Sequence, residues 1–258
     1  MSVVDALITA LGIGSVEVLD LTTPLSRDTP ILNLPEPFAN TVGLSLSPVS
    51  HFDEAGPAWA WNDVSVGEHA GTHLDAPVHW ISGRDGKSVD QIEPSRLIGP
   101  LVVIDKTAEV LEDPDFLLEP HHLEQWQEEH GTLPDNCWII FRTGWSARGG
   151  NAADFANADD AGPHTPGVSS AGARWIAANA SISGFGVETV GIDAGQAATF
   201  DPMFPVHSFL LGADKYGVTS LRHVDRLPVL GATLIVAPLP IVGGTGSPAR
   251  VFALVEAP

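Results

Sequence analysis

The sequence predicts a mixed α/β domain with many strands and few helices. Apolar, β-branched segments bounded by Gly, Pro or Asp recur along the chain, as is typical of buried strands. Helical periodicity is confined to a few short segments, and strands and helices do not alternate regularly over the first hundred residues, which argues against a Rossmann-type repeat. The 258 residues show no internal repeat and no clear linker. We therefore predict one domain spanning residues 1–258.

The N-terminal part of the chain contains one helix, one strand and a long irregular segment. Residues 1–15 carry apolar side chains at helical spacing and predict a short helix. Residues 16–21, VEVLDL, predict a strand. Residues 22–60 are rich in Pro, Ser and Asn and predict irregular backbone. Long ordered segments of this kind in compact domains often have a function.

The rest of the chain carries the predicted core. Strands are predicted at residues 100–105, 137–143, 182–188, 233–241 and 250–256. Helices are predicted at residues 121–130 and 169–180, with a third at 207–213.

The charge balance excludes several classes of partner. Only 12 Lys and Arg oppose 32 Asp and Glu, which gives a net charge of −20. This field repels polyanions, so we expect neither a nucleic acid nor an acidic membrane surface as a partner.

The chain lacks the basic segment of a signal peptide and any apolar run of membrane-spanning length, so a cytoplasmic location is expected. Cys137 is the single cysteine, which excludes an intrachain disulfide.

The densest group of potential metal ligands lies in EHAGTHLDAPVHW, residues 68–80. It places His69, His73, Asp75 and His79 within eleven positions. Two neutral imidazoles and one carboxylate form a ligand set that leaves positions open for water and substrate. We therefore predict that His69, His73 and Asp75 bind a divalent cation. His79 is close enough in sequence to take the proton from the water that this cation activates.

These ligands can converge only if the chain bends between them. Gly71 and Pro77 disfavour a helix. On a straight strand, His69 and His73 would be roughly 13 Å apart, whereas ligands lie about 2 Å from a shared metal. We therefore expect a bend at Gly71 and a second turn at Pro77, before His79.

The segment HAGTHLDAPVH, residues 69–79, resembles the signature of the cyclase family of metal-dependent hydrolases, which includes kynurenine formamidases and isatin hydrolases. Weaker similarities follow in the family's order: FRTGW (141–145), TPGVS (165–169), GFGVETVGID (184–193), FPVHSFLLG (204–212) and GGTGSPARVFAL (243–254). The resemblance implies a swivelling β/β/α fold with a mixed sheet and few helices. It also implies one divalent metal ion, Mn²⁺ or Zn²⁺, and a homodimer or homotetramer.

The resemblance carries over to individual residues. It implies one set of metal ligands: His69, His73 and Asp75. His79 would be a general base or a ligand of a second metal, and His207 would act in the same site. In two-metal formamidases an acidic residue stands twelve positions after the histidine that corresponds to His207, but here that position is Thr219. A hydroxyl is a poor substitute for an anionic ligand. This departure from the formamidase pattern favours a single metal, and Thr219 is instead a candidate substrate contact.

Other residues leave alternatives open. Trp59 and Trp61 stand two apart and can share one face of a strand, either as a wall for a planar substrate or as core packing. His164 contacts the substrate or lies in an exposed turn. Glu188 and Asp193 end and follow a strand, where capping and a hydrogen bond to a ligand histidine are both open.

The predicted function is hydrolysis of the C–N bond of a cyclic amide or an N-acyl aryl amine by metal-activated water. The substrate would be a small aromatic or cyclic amide. A lactone or ester hydrolase with the same site is one alternative, and a non-catalytic metal- or ligand-binding member is another. The segment GGTGSP, residues 243–248, lacks the Lys of a phosphate loop and predicts a tight turn near the site. The G-x-S-x-G motif of serine hydrolases is absent.

Overall fold

The computed structural model describes residues 2–34 and 36–257. Its α-helices are α1 (Val3–Gly12), α2 (Thr107–Glu112), α3 (Pro120–His130), α4 (Ala152–Ala156) and α5 (Ser170–Ala178). Its strands are β1 (Val16–Asp20), β2 (Ser45–His51), β3 (Ala60–Ser65), β4 (His73–Asp75), β5 (Ile98–Asp105), β6 (Leu117–Leu118), β7 (Cys137–Arg142), β8 (Ala158–Asp159), β9 (Gly162–Pro163), β10 (Gly167–Val168), β11 (Ile182–Val187), β12 (Tyr216–Val218), β13 (Ala232–Pro238) and β14 (Gly246–Glu256). Short 3₁₀ turns and one π-helical turn, His207–Leu211, connect them.

Eight strands form one mixed sheet in the order β1-β14-β13-β5-β7-β11-β12-β4. The β5–β7, β7–β11 and β11–β12 pairs are parallel, and the other pairs are antiparallel. The short strand β4 pairs with β12 on one side and with the beginning of β14 on the other, so the sheet closes on itself. This closure brings distant parts of the chain to the two sides of His73–Asp75.

The buried strands place alternate side chains on opposite faces of the sheet. In β5, Leu101 and Val103 belong to one apolar cluster, while Val102 and Ile104 belong to the other. Helices α3 and α5 cover the second cluster, and the Trp126 indole of α3 donates a hydrogen bond to the backbone carbonyl of Val103. Because both faces are buried, these strands have the nearly continuous apolar sequence from which they were predicted.

The predicted fold class is confirmed, and the predicted strands and helices agree with the observed ones to within a few residues. The main difference lies in the segment predicted to be irregular, residues 22–60. It contains β2 and the first residue of β3, which pair with each other in an antiparallel hairpin. Of the side chains in these two strands, Ser50 alone is buried. Without one buried face, the sequence lacks the alternation that identifies a strand.

The N-terminal helix is observed where its periodicity predicts it. Ser2 caps α1, with a reciprocal hydrogen bond from its backbone N–H to Asp5. None of the α1 side chains is buried, however, so its apolar stripe stays on the surface. Among the described residues, no helix is both long and apolar enough to cross a membrane.

Candidate active site

The segment that contains the predicted ligands bends at the expected positions. Gly71 has φ +62°, a left-handed conformation that favours glycine, and a Cβ there would lie 2.6 Å from Cδ2 of Leu25. The chain then enters β4, and a 3₁₀ turn over Pro77–His79 follows. The sharp bend at Gly71 lets His69 turn back towards Asp75.

Four histidine rings surround the Asp75 carboxylate. Nδ1 of His69 lies 2.8 Å from Oδ1 of Asp75, and Nε2 of His73 lies 3.3 Å from the same oxygen. Nε2 of His207 lies 3.9 Å from Oδ2. The His79 ring stacks on His69 with a centroid separation of 3.9 Å. The structure therefore brings together every residue that the sequence assigned to metal binding or proton transfer.

The closest convergence of ligand atoms differs in one member from the predicted set. The ligand atoms of His69, Asp75 and His79 all lie within 4.8 Å of one another, whereas the prediction named His73 in place of His79. Oδ2 of Asp75 is buried and has no hydrogen-bond partner among the described residues. A buried carboxylate oxygen without a partner is costly. A divalent cation between this oxygen and the imidazole nitrogens would remove that cost, so the donor set fits a metal.

The cluster perturbs the proton affinity of its members. Burial raises the pKa of Asp75, but the charge of His73 and hydrogen bonds from His69 and His73 outweigh it and hold this pKa well below its usual range. Burial is also the main reason why the pKa of His79 falls to about 4. Burial opposes the charged form of His207, yet the hydrogen bond and charge of Asp193 outweigh it and raise its pKa.

The far nitrogens of two rings, His73 and His207, are held by neighbouring groups. Nδ1 of His73 donates to the Gly71 carbonyl at 2.8 Å. Nδ1 of His207 lies 2.5 Å from Oδ2 of Asp193, which also accepts the His207 backbone N–H at 3.1 Å. Such contacts orient a ring towards a metal or substrate. Asp193 therefore makes both of the contacts left open for it: it holds a histidine of the site, and it accepts the backbone N–H groups of Val206 and His207 at the start of the helical turn.

Glu188 caps a neighbouring turn and does not contact a histidine of the site. Its carboxylate accepts backbone N–H groups of Thr143 and Gly144 at 2.6 and 2.7 Å, and the Ser146 hydroxyl at 2.6 Å. These hydrogen bonds hold the loop after β7 against the end of β11.

The residues predicted to contact the substrate lie in different surroundings. Thr219 is fully buried behind His73, with Oγ1 2.9 Å from Nδ1 of that ring. The two ring nitrogens of His164 lie 2.5 Å from Asp115 and 3.1 Å from Asp159. Both histidine nitrogens are thus occupied by carboxylates, and direct contacts of His164 and Thr219 with a substrate stay predictions.

Trp59 and Trp61 lie on the β2–β3 hairpin and are 51% and 58% exposed. The possibility that they pack in the core is therefore excluded for this chain in isolation. Among the described residues, no ring contact joins either tryptophan to the histidine cluster.

Two aromatic residues beside the cluster were missed by the sequence analysis. The Trp80 ring lies 4.8 Å from the His207 ring and 5.7 Å from the Phe204 ring, centroid to centroid. Phe204 has φ +52°, a strained conformation for a bulky residue that is typical of functional sites. Their signal was proximity in sequence, since Trp80 follows His79 and Phe204 precedes His207 by three positions.

Comparison with known proteins agrees with this geometry. A family model described as "Putative cyclase" matches residues 19–194. Isatin hydrolase from Roseibium aggregatum is 45% identical over 245 residues, which is 94% of this chain and 93% of that protein. The crystal structure of an isatin hydrolase bound to the product analogue thioisatinate superposes with a TM-score of 0.95 and 44% identity over the whole of both chains. A kynurenine formamidase from Salinibacter ruber is 28% identical over 74% of this chain and 84% of its own length.

The motif resemblance and the predicted fold are thus confirmed by independent similarity over almost the full length. Together with a histidine cluster that fits a divalent cation, these similarities establish that the chain belongs to the cyclase family of metal-dependent hydrolases.

Proposed function

We propose that this protein hydrolyses the C–N bond of a cyclic amide fused to an aromatic ring, a substrate of the isatin type. The main support for this proposal is the cluster of four histidines around Asp75, in a chain that is 45% identical to an isatin hydrolase. Water adds across the amide bond: its oxygen joins the acyl carbon, the C–N bond breaks, one proton goes to the nitrogen and the other is released when the new carboxylic acid ionises. The product is an arylamine whose ring also bears the side chain that ends in the new carboxylate.

We propose that one divalent cation, Mn²⁺ or Zn²⁺, is held by His69, His73 and Asp75. His79 is the alternative third ligand, because its ligand atom is the one that converges with His69 and Asp75. Mixed imidazole and carboxylate ligands suit both metals. Such a cation would supply Lewis-acid polarisation of the acyl oxygen and a more acidic water.

The histidines divide the proton transfers between them. The His79 ring stacks on His69 and has no side-chain hydrogen bond within the described part of the chain, so its ring nitrogens are free to accept the proton of the attacking water. His207 is fixed by Asp193 with Nε2 directed towards the site, where it can donate a hydrogen bond to the acyl oxygen or a proton to the leaving nitrogen.

The aromatic residues next to the cluster support a planar substrate. Trp80 and Phe204 form a corner beside His207, and apolar walls with a few polar groups are typical of small-molecule sites. A ring stacked on either residue would place its amide near His207. His164 remains a proposed substrate contact, and Thr219, which lies behind His73, would act on the substrate through that ring.

A panel of four substrates tests the proposal: isatin, N-formylkynurenine, phthalimide and a lactone, each with Mn²⁺ or Zn²⁺. We expect the highest kcat/KM for isatin, with activity lost on chelation and restored by the metal. Acid release in weakly buffered solution reports hydrolysis of each compound. A preference for N-formylkynurenine or the lactone would instead assign a formamidase or an esterase. Binding without acid release would identify a non-catalytic member.

We further propose that the protein forms a homo-oligomer, a dimer or a tetramer, through the β2–β3 hairpin. Its exposed apolar side chains are Leu46, Val49, Phe52, Trp59, Trp61 and Val64. An isolated two-stranded hairpin is marginally stable in water, and large exposed apolar patches mark interaction surfaces. A second copy that covers this hairpin would bury these side chains, and Trp59 and Trp61 would then contact substrate only from a neighbouring subunit.

The oligomer is tested by light scattering coupled to gel filtration. We expect the wild type to elute as a dimer or tetramer and Trp61→Asp with Val64→Asp to elute as a monomer, because two buried charges without partners oppose association. Leu111→Asp, at an 86% exposed position of α2, is the matched control and should keep the wild-type mass. A monomeric wild type would refute the proposal.

The cytoplasmic location also remains a proposal, which fractionation of source cells would test.

A further inference from the structure

The turn between β13 and β14 lies directly against the ring of His69. Gly246 pairs with Asp75 across the sheet, and a Cβ at Gly246 would lie 2.6 Å from Cε1 of His69. Thr245, the residue before it, has Oγ1 2.8 Å from Nε2 of His69. The GGTGSP segment is therefore not only a connection between strands but one wall of the cation site.

The hydrogen bonds around Thr245 have a defined direction. Oε2 of Glu68 accepts the Thr245 backbone N–H at 3.1 Å and its hydroxyl at 2.6 Å. A carboxylate only accepts, and a hydroxyl has a single proton to give. Once the Thr245 hydroxyl donates to Glu68, its oxygen can only accept from His69, so the proton of a neutral His69 ring is on Nε2.

We infer that Glu68 and Thr245 are positioning residues that fix the tautomer and orientation of His69, so that its unprotonated Nδ1 faces the cation. Nδ1 lies 2.8 Å from Oδ1 of Asp75. A proton on Nδ1 makes this contact a hydrogen bond when the ring is charged, whereas in the neutral ring with its proton on Nε2 the two acceptors repel each other unless a cation lies beside them. The arrangement is therefore suited to a cation shared by His69 and Asp75, and it rests on the proposed metal site but not on the proposed substrate.

The other rings are held in different ways, which makes this contact specific to His69. His73 is held by the Gly71 carbonyl and His207 by Asp193, and neither hydrogen bond involves Thr245. Loss of the Thr245 hydroxyl should therefore weaken cation binding through His69 alone and leave the other histidine rings in place.

Cation affinity tests the inference without reference to turnover. The metal-free full-length protein would be titrated with Mn²⁺ against a chelator of known affinity, and with Co²⁺ for its visible absorption spectrum. We expect Thr245→Val, which removes the hydroxyl at similar volume, to raise the Mn²⁺ Kd about 10–100-fold and to alter the Co²⁺ spectrum. Thr245→Ser restores the hydroxyl and should bring Kd back to within about threefold of wild type. Glu68→Gln should fall between them.

Controls separate positioning from general damage. Thr9→Val removes a threonine hydroxyl from exposed helix α1 and should leave Kd unchanged. Equal Mn²⁺ Kd and Co²⁺ spectra for the wild type and Thr245→Val would overturn the inference. If Thr245→Val fails to fold, a wild-type Kd in Glu68→Gln would overturn it. A wild type that binds no cation would overturn both this inference and the metal site, whereas the substrate panel decides the proposed reaction separately.

Discussion

Replacing Asp75 with asparagine is expected to abolish both cation binding and hydrolysis. Asp75 is 1% exposed, all four histidines of the site surround it, and its Oδ2 has no hydrogen-bond partner among the described residues. The amide keeps the shape of the side chain but removes the negative charge that would hold the proposed cation. We expect elemental analysis to find no bound metal, and kcat/KM for isatin to fall about 10³-fold or more.

The substitution is nearly isosteric, so the fold should still form, but it removes the buried carboxylate that His69 and His73 contact and should lower the stability of the metal-free protein. The metal-free variant should keep a cooperative thermal unfolding transition, with a midpoint below that of the metal-free wild type. Asp154→Asn, an exposed position in the first turn of α4, is the control and should keep metal and activity. If the Asp75→Asn protein had the wild-type metal content, Asp75 would be excluded as a metal ligand.

Replacing His79 with alanine is expected to lower kcat about 10²–10⁴-fold, the contribution of a positioned general base, with the metal retained. Among the described residues, the His79 ring stacks on His69, contacts Trp80 and His207 at tilted angles and has no hydrogen-bond partner, so its removal leaves the hydrogen bonds of His73 and His207 intact. Added imidazole should restore part of the lost rate. Steady-state kinetics and elemental analysis of the same sample provide both readouts.

His73→Ala is the comparison that decides between the two candidate third ligands. We expect it to lose the metal together with turnover. If His79→Ala lost the metal while His73→Ala kept it, the ligand set would be His69, Asp75 and His79, as the 4.8 Å convergence of their atoms allows. His79 would then not be the base, and His207 would be the remaining candidate for proton transfer.

Much of the fold could be predicted because both faces of its strands are buried. Strands such as β5 and β7 are continuous apolar segments, and the periodicity of α1, α3 and α5 is clear. The β2–β3 hairpin could not be predicted in the same way. It buries almost nothing within this chain, so no alternation of apolar and polar residues marks its strands. Its apolar side chains are exposed in the single chain.

The candidate site divides along the same line. The sequence by itself determined the ligand types in residues 69–79 and the bend at Gly71, because spacing, glycine and proline act locally. The family resemblance also placed His207 in the site, but only the tertiary structure decided how the distant groups contact it and added Thr245 to them. His207, Asp193 and Thr245 are more than one hundred residues away in sequence, and local patterns carry no information on such contacts. They reach Asp75 because β4 pairs with both β12 and β14, which closes the sheet around it.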